Sequence, residues 1–326
     1  MRGGSRLIGV VLAVGLATAT ACTIPVFRFA LDRWPPDTYR LEVTPVDAAS
    51  PDVAKFLRNF GATSPINLKV SRLPAEASVS KLFAPNATTP LWEGKLDATS
   101  LASLTESPGR AELVRRILAG EALVWVLAES GDAAADAQVT APVEKRLRYL
   151  EQVAQLPAID PTDPDSQLGP GPALAVRFSL LRLPVEEVIL RRMLAGTESG
   201  LAETKEPWLA AVFGRGRVLG AWPAAEIADE QIEQGCLFLL GACSCQVKSL
   251  NPGWDLLIET DWEADLQALG ETKVPAEPVL PEVVVISGGA ESPPSSGPNL
   301  PLWIAAITGF LILAAGVIWR HRVDHP

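Results

Sequence analysis

The 326-residue chain has two histidines, and both, His321 and His325, lie at its extreme C-terminus. A Ser-His-Asp triad in the body of the chain is therefore excluded, because no imidazole is there to take the serine proton. A zinc site in the body would likewise lack its usual imidazole ligands. Long basic runs are missing too, and 38 acidic residues against 28 basic ones leave a formal charge of −10. Nucleic acid as a partner thus has no electrostatic support. The chain contains neither a phosphate-cradling glycine loop followed by Lys and Ser/Thr nor a dinucleotide fingerprint, which removes the commonest nucleotide enzymes. No cofactor is implied. Cysteine is sparse, at Cys22, Cys236, Cys243 and Cys245.

What is present starts at the two ends. Met1 to Arg6 is basic, Leu7 to Ala17 is apolar, and Ala19-Thr-Ala-Cys22 brings small side chains before a break. That is the layout of a secretory signal over residues 1–21. Cys22 directly after it resembles the acylated cysteine of a bacterial lipoprotein box, although Ala19 stands where leucine is usual. The resemblance implies lipid attachment at Cys22. The alternative is an uncleaved anchor, since no charge occurs between Leu7 and Phe27. At the other end, Leu302 to Trp319 is uncharged and apolar, with Trp303 and Trp319 at its edges. This predicts one transmembrane helix within residues 301–320, its tryptophans at headgroup level. Arg320-His-Arg322 follows, so the tail (321–326) is expected in the cytoplasm and the bulk on the extracytoplasmic side of the cell membrane. That side is the periplasm if the source is bacterial.

Between the ends, residues 271–300 form a tether rich in Pro, Gly and Ser. Asp160 to Pro172 is too dense in Pro and Gly for helix or strand. Elsewhere short apolar runs alternate with amphipathic stretches, which predicts an α/β fold. Ala122 to Ala128 is a continuous apolar strand, and Asp132 can cap the helix after it, a helix that contains Pro142. A strand over Ala173–Leu181, a helix over Val185–Ala195, a hairpin from Pro207 to Trp222 turning at Gly214–Arg217, and a helix over Ala225–Leu240 follow.

This order resembles the thioredoxin fold over residues 121–240, the resemblance resting on Pro142 in the first helix and Pro207 before the hairpin. It implies a cis bond at Pro207 lying against the turn at the helix start. The departure is chemical. Where thioredoxins carry Cys-x-x-Cys, this chain has Ser130-Gly131-Asp132-Ala-Ala-Ala, so no thiolate is present for disulfide exchange. The preceding region, residues 22–120, is expected to be an α/β domain and allows a tandem copy of the same plan. Its elements are a strand over Tyr39–Val46, a helix over Ser50–Phe60, a strand over Asn67–Leu73, a hairpin over Pro90–Leu96 and a helix over Gly109–Leu118. The second domain would span 121–270 with a cysteine-containing extension. Cys22 to Trp34 and Gly241 to Gly253 also resemble segments of a group of bacterial membrane-anchored proteins without assigned activity.

Cys236, Cys243 and Cys245 are the candidate redox, disulfide or metal residues. Gly241 would end the last helix and let the chain fold back, so that Cys236 bonds Cys243 or Cys245 in an oxidising compartment, or stays a buried thiol. With Cys22 unmodified, two bridges are allowed. Cys243-Ser-Cys245 would suit a soft metal or redox chemistry, with Lys248 lowering a thiol pKa. Arg215 and Arg217 are expected to be exposed turn residues, with the grip of an anion as the alternative. Glu186, Glu187, Asp261, Glu263 and Asp265 are expected on solvated faces, and Trp208, Trp222, Trp254 and Trp262 in core packing. These features point to a membrane-tethered, non-catalytic module contacting a protein partner in or at the same membrane. The alternative is a thiol-redox or soft-metal-handling envelope protein acting through Cys243 and Cys245.

Overall fold

The computed structural model describes residues 23–160, 162–197, 200–242 and 247–271. Cys22, Cys243, Cys245, residues 272–300 of the expected tether and Leu302–Trp319 lie outside them, while Glu271 ends a helix. No helix among the described residues is long and apolar enough to cross a membrane.

The protein is α/β, with two mixed sheets. The chain enters through a helix, α1 (Val26–Arg33), whose first six residues are all buried. Ile24, Val26 and Phe27, the last part of the uncharged stretch expected as a possible anchor, belong to the core. The first sheet then forms from β1 (Tyr39–Val43), β2 (Leu68–Arg72), β3 (Ser80–Phe83) and β4 (Trp92–Gly94), in the order β2-β1-β3-β4. β1 and β2 are parallel and the other pairs antiparallel. β1 ends at Val43 because Thr44 caps a short helix, α2 (Pro45–Ala49), with Pro45 at its first position. Helix α3 (Pro51–Thr63) follows, also opened by proline. The stretch expected as a hairpin over Pro90–Leu96 is one strand, β4, paired with β3. Asp97 then caps α4 (Ala98–Thr105), and Ser107 caps α5 (Pro108–Leu118).

The second sheet contains β5 (Leu123–Ala128), β6 (Phe178–Leu183), β7 (Trp208–Phe213), β8 (Arg217–Pro223) and β9 (Trp254–Asp255), in the order β6-β5-β7-β8-β9. Its β5/β6 pair is parallel, and the remaining pairs are antiparallel. The first four strands of each sheet thus share one order and one set of directions. β6 starts five residues later than Ala173, since pairing begins where Phe178 meets Leu123. Helix α6 (Ala133–Val153) joins β5 to β6, α7 (Val188–Ala195) joins β6 to β7, α8 (Asp229–Leu240) follows β8, and α9 (Trp262–Glu271) closes the described chain. Pro142 sits inside α6 without ending it, on the exposed side.

β5 shows how the core is divided. Leu123, Trp125 and Leu127 face one cluster, made with residues of α1, α6 and α8. Val124, Val126 and Ala128 face the other, which holds Leu190 and Met193 of α7, Leu113 of α5, and Tyr39 and Leu41 of the first sheet. This is the two-residue period of a strand buried on both faces. The second cluster runs through both sheets, so the two halves share one core inside one compact unit.

Irregular segments are held by buried arginines. Arg28 pairs with Asp32 at 2.7 Å and donates to the carbonyls of Gly169, Pro170 and Pro172, fixing the Pro/Gly loop to α1. Arg110 donates to the carbonyls of Ser103, Leu104, Glu106 and Leu257, and burial lowers its pKa to about 10. Arg215 and Arg217, expected to be exposed, are buried. Arg215 reaches the carbonyls of Leu31 and Asp32 and the carboxylate of Glu263, which lies on the exposed face expected of it. Arg217 holds Asp255 at 3.0 Å and the carbonyls of Asn251, Pro252 and Gly253. Such guanidiniums spread five donors over carbonyls that no ladder satisfies.

Candidate functional site

The turn between β5 and α6 comes first, because a redox centre would be expected there. Asp132 caps α6 by accepting from the backbone N–H of Ala134 and Ala135. Ser130 is latched from below: its N–H and its hydroxyl both donate to Oδ1 of the buried Asp136, at 2.8 and 2.9 Å. Gly131 takes a φ of +87° and lies against Val185. Ala128 pairs with Trp208, so extending the register by one residue sets Glu129 across from Pro207. The bond before Pro207 is trans, contrary to the cis bond that the resemblance implies. Arg191 lies beneath, donating to the Glu129 carbonyl at 2.9 Å with its guanidinium 5.6 Å from the Trp208 ring centroid. Burial lowers the Arg191 pKa. Nothing in this turn pairs a nucleophile with a base, since Ser130 is bound to a carboxylate that caps its own backbone.

Cys236 is a free, buried thiol, and Cys243 and Cys245, its expected partners, lie outside the described residues. It packs in the cluster with Trp125, Ile232 and Leu239, where burial pushes its pKa up to about 12. A thiol so held is a poor nucleophile at neutral pH. Lys248, expected to act on a thiol, is committed to Asp37, Asp255 and the Pro35 carbonyl. Among the described residues no group of three His, Cys, Asp or Glu is placed to hold a metal ion. Trp208 and Trp262 are core residues, while Trp222 and Trp254 are half-buried and line a cavity of about 620 Å³.

A larger cavity lies elsewhere. It is a groove of about 970 Å³ between the edge strand of each sheet, β4 and β6, and the first turns of α5 and α7. Trp92, Pro108, Leu181, Leu183, Val188 and Ile189 supply its apolar lining. Five glutamates, Glu93, Glu106, Glu112, Glu186 and Glu187, stand around it against two arginines, Arg182 and Arg192. Several of these charges are already committed. Glu112 is bound by Arg115 and Arg116, each at 2.7 Å, which lowers its pKa to about 2. Arg182 binds Glu129 at 2.5 Å. Glu187 accepts the Gly109 N–H at 2.9 Å and so fills the N-terminus of α5, a structural task that its expected solvated position did not include. The carboxylates of Glu106 and Glu186 make no hydrogen bond or ion pair among the described residues, and both residues are exposed. The groove therefore sets exposed carboxylates beside apolar surface, with Glu106 and Glu187 also acting through space on the buried Arg110.

Gly109 sits tightly at this junction. A Cβ there would lie 2.7 Å from a terminal methyl of both Leu183 and Leu190, so any larger residue would require both leucines to shift. Sequence reasoning missed the groove, because its walls come from segments roughly ninety residues apart in the chain and no local pattern marks them. The Pro108-Gly109 pair opening α5 is the one local sign.

Compared with protein-family models, with curated proteins and with solved structures, the chain finds no match.

Proposed function

We propose that the protein is a non-catalytic binding module, held at the extracytoplasmic face of the cell membrane, whose groove takes an extended segment of a partner protein carrying apolar and basic side chains. The observation that carries this reading is the groove itself: apolar surface flanked by two sheet edges and rimmed by the exposed Glu106 and Glu186. Edge strands offer main-chain groups to an extended peptide, while pockets for alternate side chains supply selectivity. The acids favour a lysine or arginine in the entering segment and steer its approach.

The same reading treats each half as a thioredoxin-like frame without the family's cysteines. Support comes from the strand order and directions repeated in both sheets, from α6 bridging a parallel pair, and from Pro207 opening β7 beside the α6 turn. Sulfur is missing from that turn, and Ser130 is latched to Asp136. Membrane tethering fits a partner in the same membrane, because it raises the effective concentration of the two.

A library of extended peptides with alternating apolar and Lys/Arg residues, read by the part of the tryptophan fluorescence change that Trp92→Phe removes, tests the proposal. Selected peptides should lose about tenfold in affinity with Glu106→Lys plus Glu186→Lys, and similarly with Val188→Glu, each change removing on the order of 1.4 kcal/mol. Binding that ignores all three substitutions, or a library without binders, would refute the groove as the site.

A further inference from the structure

We infer that the end of the fold formed by the last turns of α6 and α8 and by the 160–172 loop rests against the lipid bilayer, with Val153, Leu168, Leu237 and Phe238 in its headgroup layer. The inference rests on the membrane tethering proposed above and adds an orientation to it.

The apolar surface comes first. Tyr149 and Val153 stand one turn apart on α6 at 48% and 50% exposure, and Leu237 and Phe238 on α8 are 51% and 38% exposed. Leu168, in the loop, is 41% exposed. The two helices run side by side in the same direction. Arg146 meets Asp229 and Glu233 near the start of α8, while Glu151, further along α6, acts on Cys236, further along α8. Their C-terminal turns therefore finish at one end of the molecule, and they carry their exposed apolar side chains there.

The chain ends locate that face. Thr23, the first described residue, gives its N–H and its hydroxyl to Ser166 Oγ, both at 2.9 Å, and accepts the Asp160 N–H. Three residues on, the Val26 N–H donates to the Gly241 carbonyl just beyond the end of α8. At the other exit, Gly270 of α9 packs against Pro170. Both membrane-directed segments, residues 1–22 and 272–326, thus leave beside the same loop, the one that carries Leu168. No slack separates the first from the fold. Cys22 adjoins Thr23, so a lipid or a span ending there holds this face within about 3.8 Å of chain from the membrane. Apolar side chains at that depth match the layer in which amphipathic surfaces insert.

The groove lies at the far end of α6. Pro184 and Glu186 line it on either side of Val185, which touches Gly131 at the helix start. A helix of 21 residues is about 30 Å long, so the groove stands up to about that distance from the docked face.

The test uses the full chain in phosphatidylcholine vesicles containing radiolabelled lipid. A photoreactive residue is installed in turn at Val153, Leu168, Phe238 and, as the control at the groove, Val188. The chain should float with the vesicles and give several-fold more lipid adduct at the first three positions than at Val188. Flotation with equal adducts at all four would leave the tether standing and overturn the docked face. So would adducts at these positions to protein alone, which would mean that a protein covers the face. Failure to float would remove the tethering itself and the inference with it.

Discussion

Replacing Arg28 with methionine removes the guanidinium that ties the Pro/Gly loop to α1. The pair it forms with Asp32 is buried, each side chain at 3% exposure and 2.7 Å apart. Breaking such a pair from one side costs about 3–5 kcal/mol, because the other charge is left without a partner. The Gly169 and Pro172 carbonyls also lose donors at 2.5 Å each, for about 1–3 kcal/mol apiece if nothing replaces them. The loop is at the surface, so water recovers much of this second part. A total of about 4–6 kcal/mol is expected, a large share of the 5–15 kcal/mol typical of a folded unit. In urea denaturation of the compact unit, the midpoint should fall by about 2 M for a slope of about 2.5 kcal/mol/M. Asp32→Leu alone should cost less, since Arg28 keeps its carbonyls. The double variant should then be about 2–3 kcal/mol more stable than the sum of the two singles predicts. Acid supplies an independent check. Burial raises the Asp32 pKa even with Arg28 beside it. A carboxyl whose pKa is raised by folding stabilises the fold below its unfolded value and loses that contribution as pH rises through the folded one. Without Arg28 this window extends upward, so the cost of the methionine should be smaller at pH 4 than at pH 7. Additivity of the singles within about 0.5 kcal/mol, or a cost independent of pH, would refute the assignment of the loop to this pair.

Two further changes probe other parts of the argument. Cys236, with its thiol pushed up to about 12 by burial, should resist alkylation at pH 8 in the native protein and react once urea unfolds it. Because the folded state keeps this proton, the thiol leaves stability unchanged below about pH 9 and reduces it between about 9 and 12. Peptide mapping after labelling separates it from the other cysteines, and rapid native labelling of Cys236 would contradict its burial. Gly253→Ala should destabilise by more than about 2 kcal/mol, for two reasons. The residue has a φ of +105°, and its Cβ would fall 2.1 Å from the Val218 carbonyl oxygen. A loss below about 0.5 kcal/mol in urea titration would show that the segment around Arg217 and Asp255 yields freely.

Features encoded within a few residues were legible beforehand. The apolar run Ala122–Ala128 contains β5, Asp132 caps α6, and Gly109–Leu118 lies within α5. Elements that depend on a partner were harder to place. β4 is three residues long and exists because β3, which has no strong pattern of its own, pairs with it. Val26 and Phe27, the first residues of α1, fell in the uncharged stretch read as a possible anchor, and burial of α1 under α8 and β7 is what makes them core. Arg215 and Arg217 were expected in solvent on account of their charge. The carbonyls that receive them belong to segments about 35 to 180 residues away.

The order of residues alone determined the alternation of helix and strand, the caps, and the lack of sulfur and imidazole at the α6 turn. Those properties depend on side-chain chemistry and on backbone preferences acting over one or two turns. Only the tertiary structure brought Trp92 beside Val188, Arg28 beside Gly169, and the two chain exits beside one loop. Such meetings are settled by which apolar faces bury each other, a free energy of the whole core that no short segment carries.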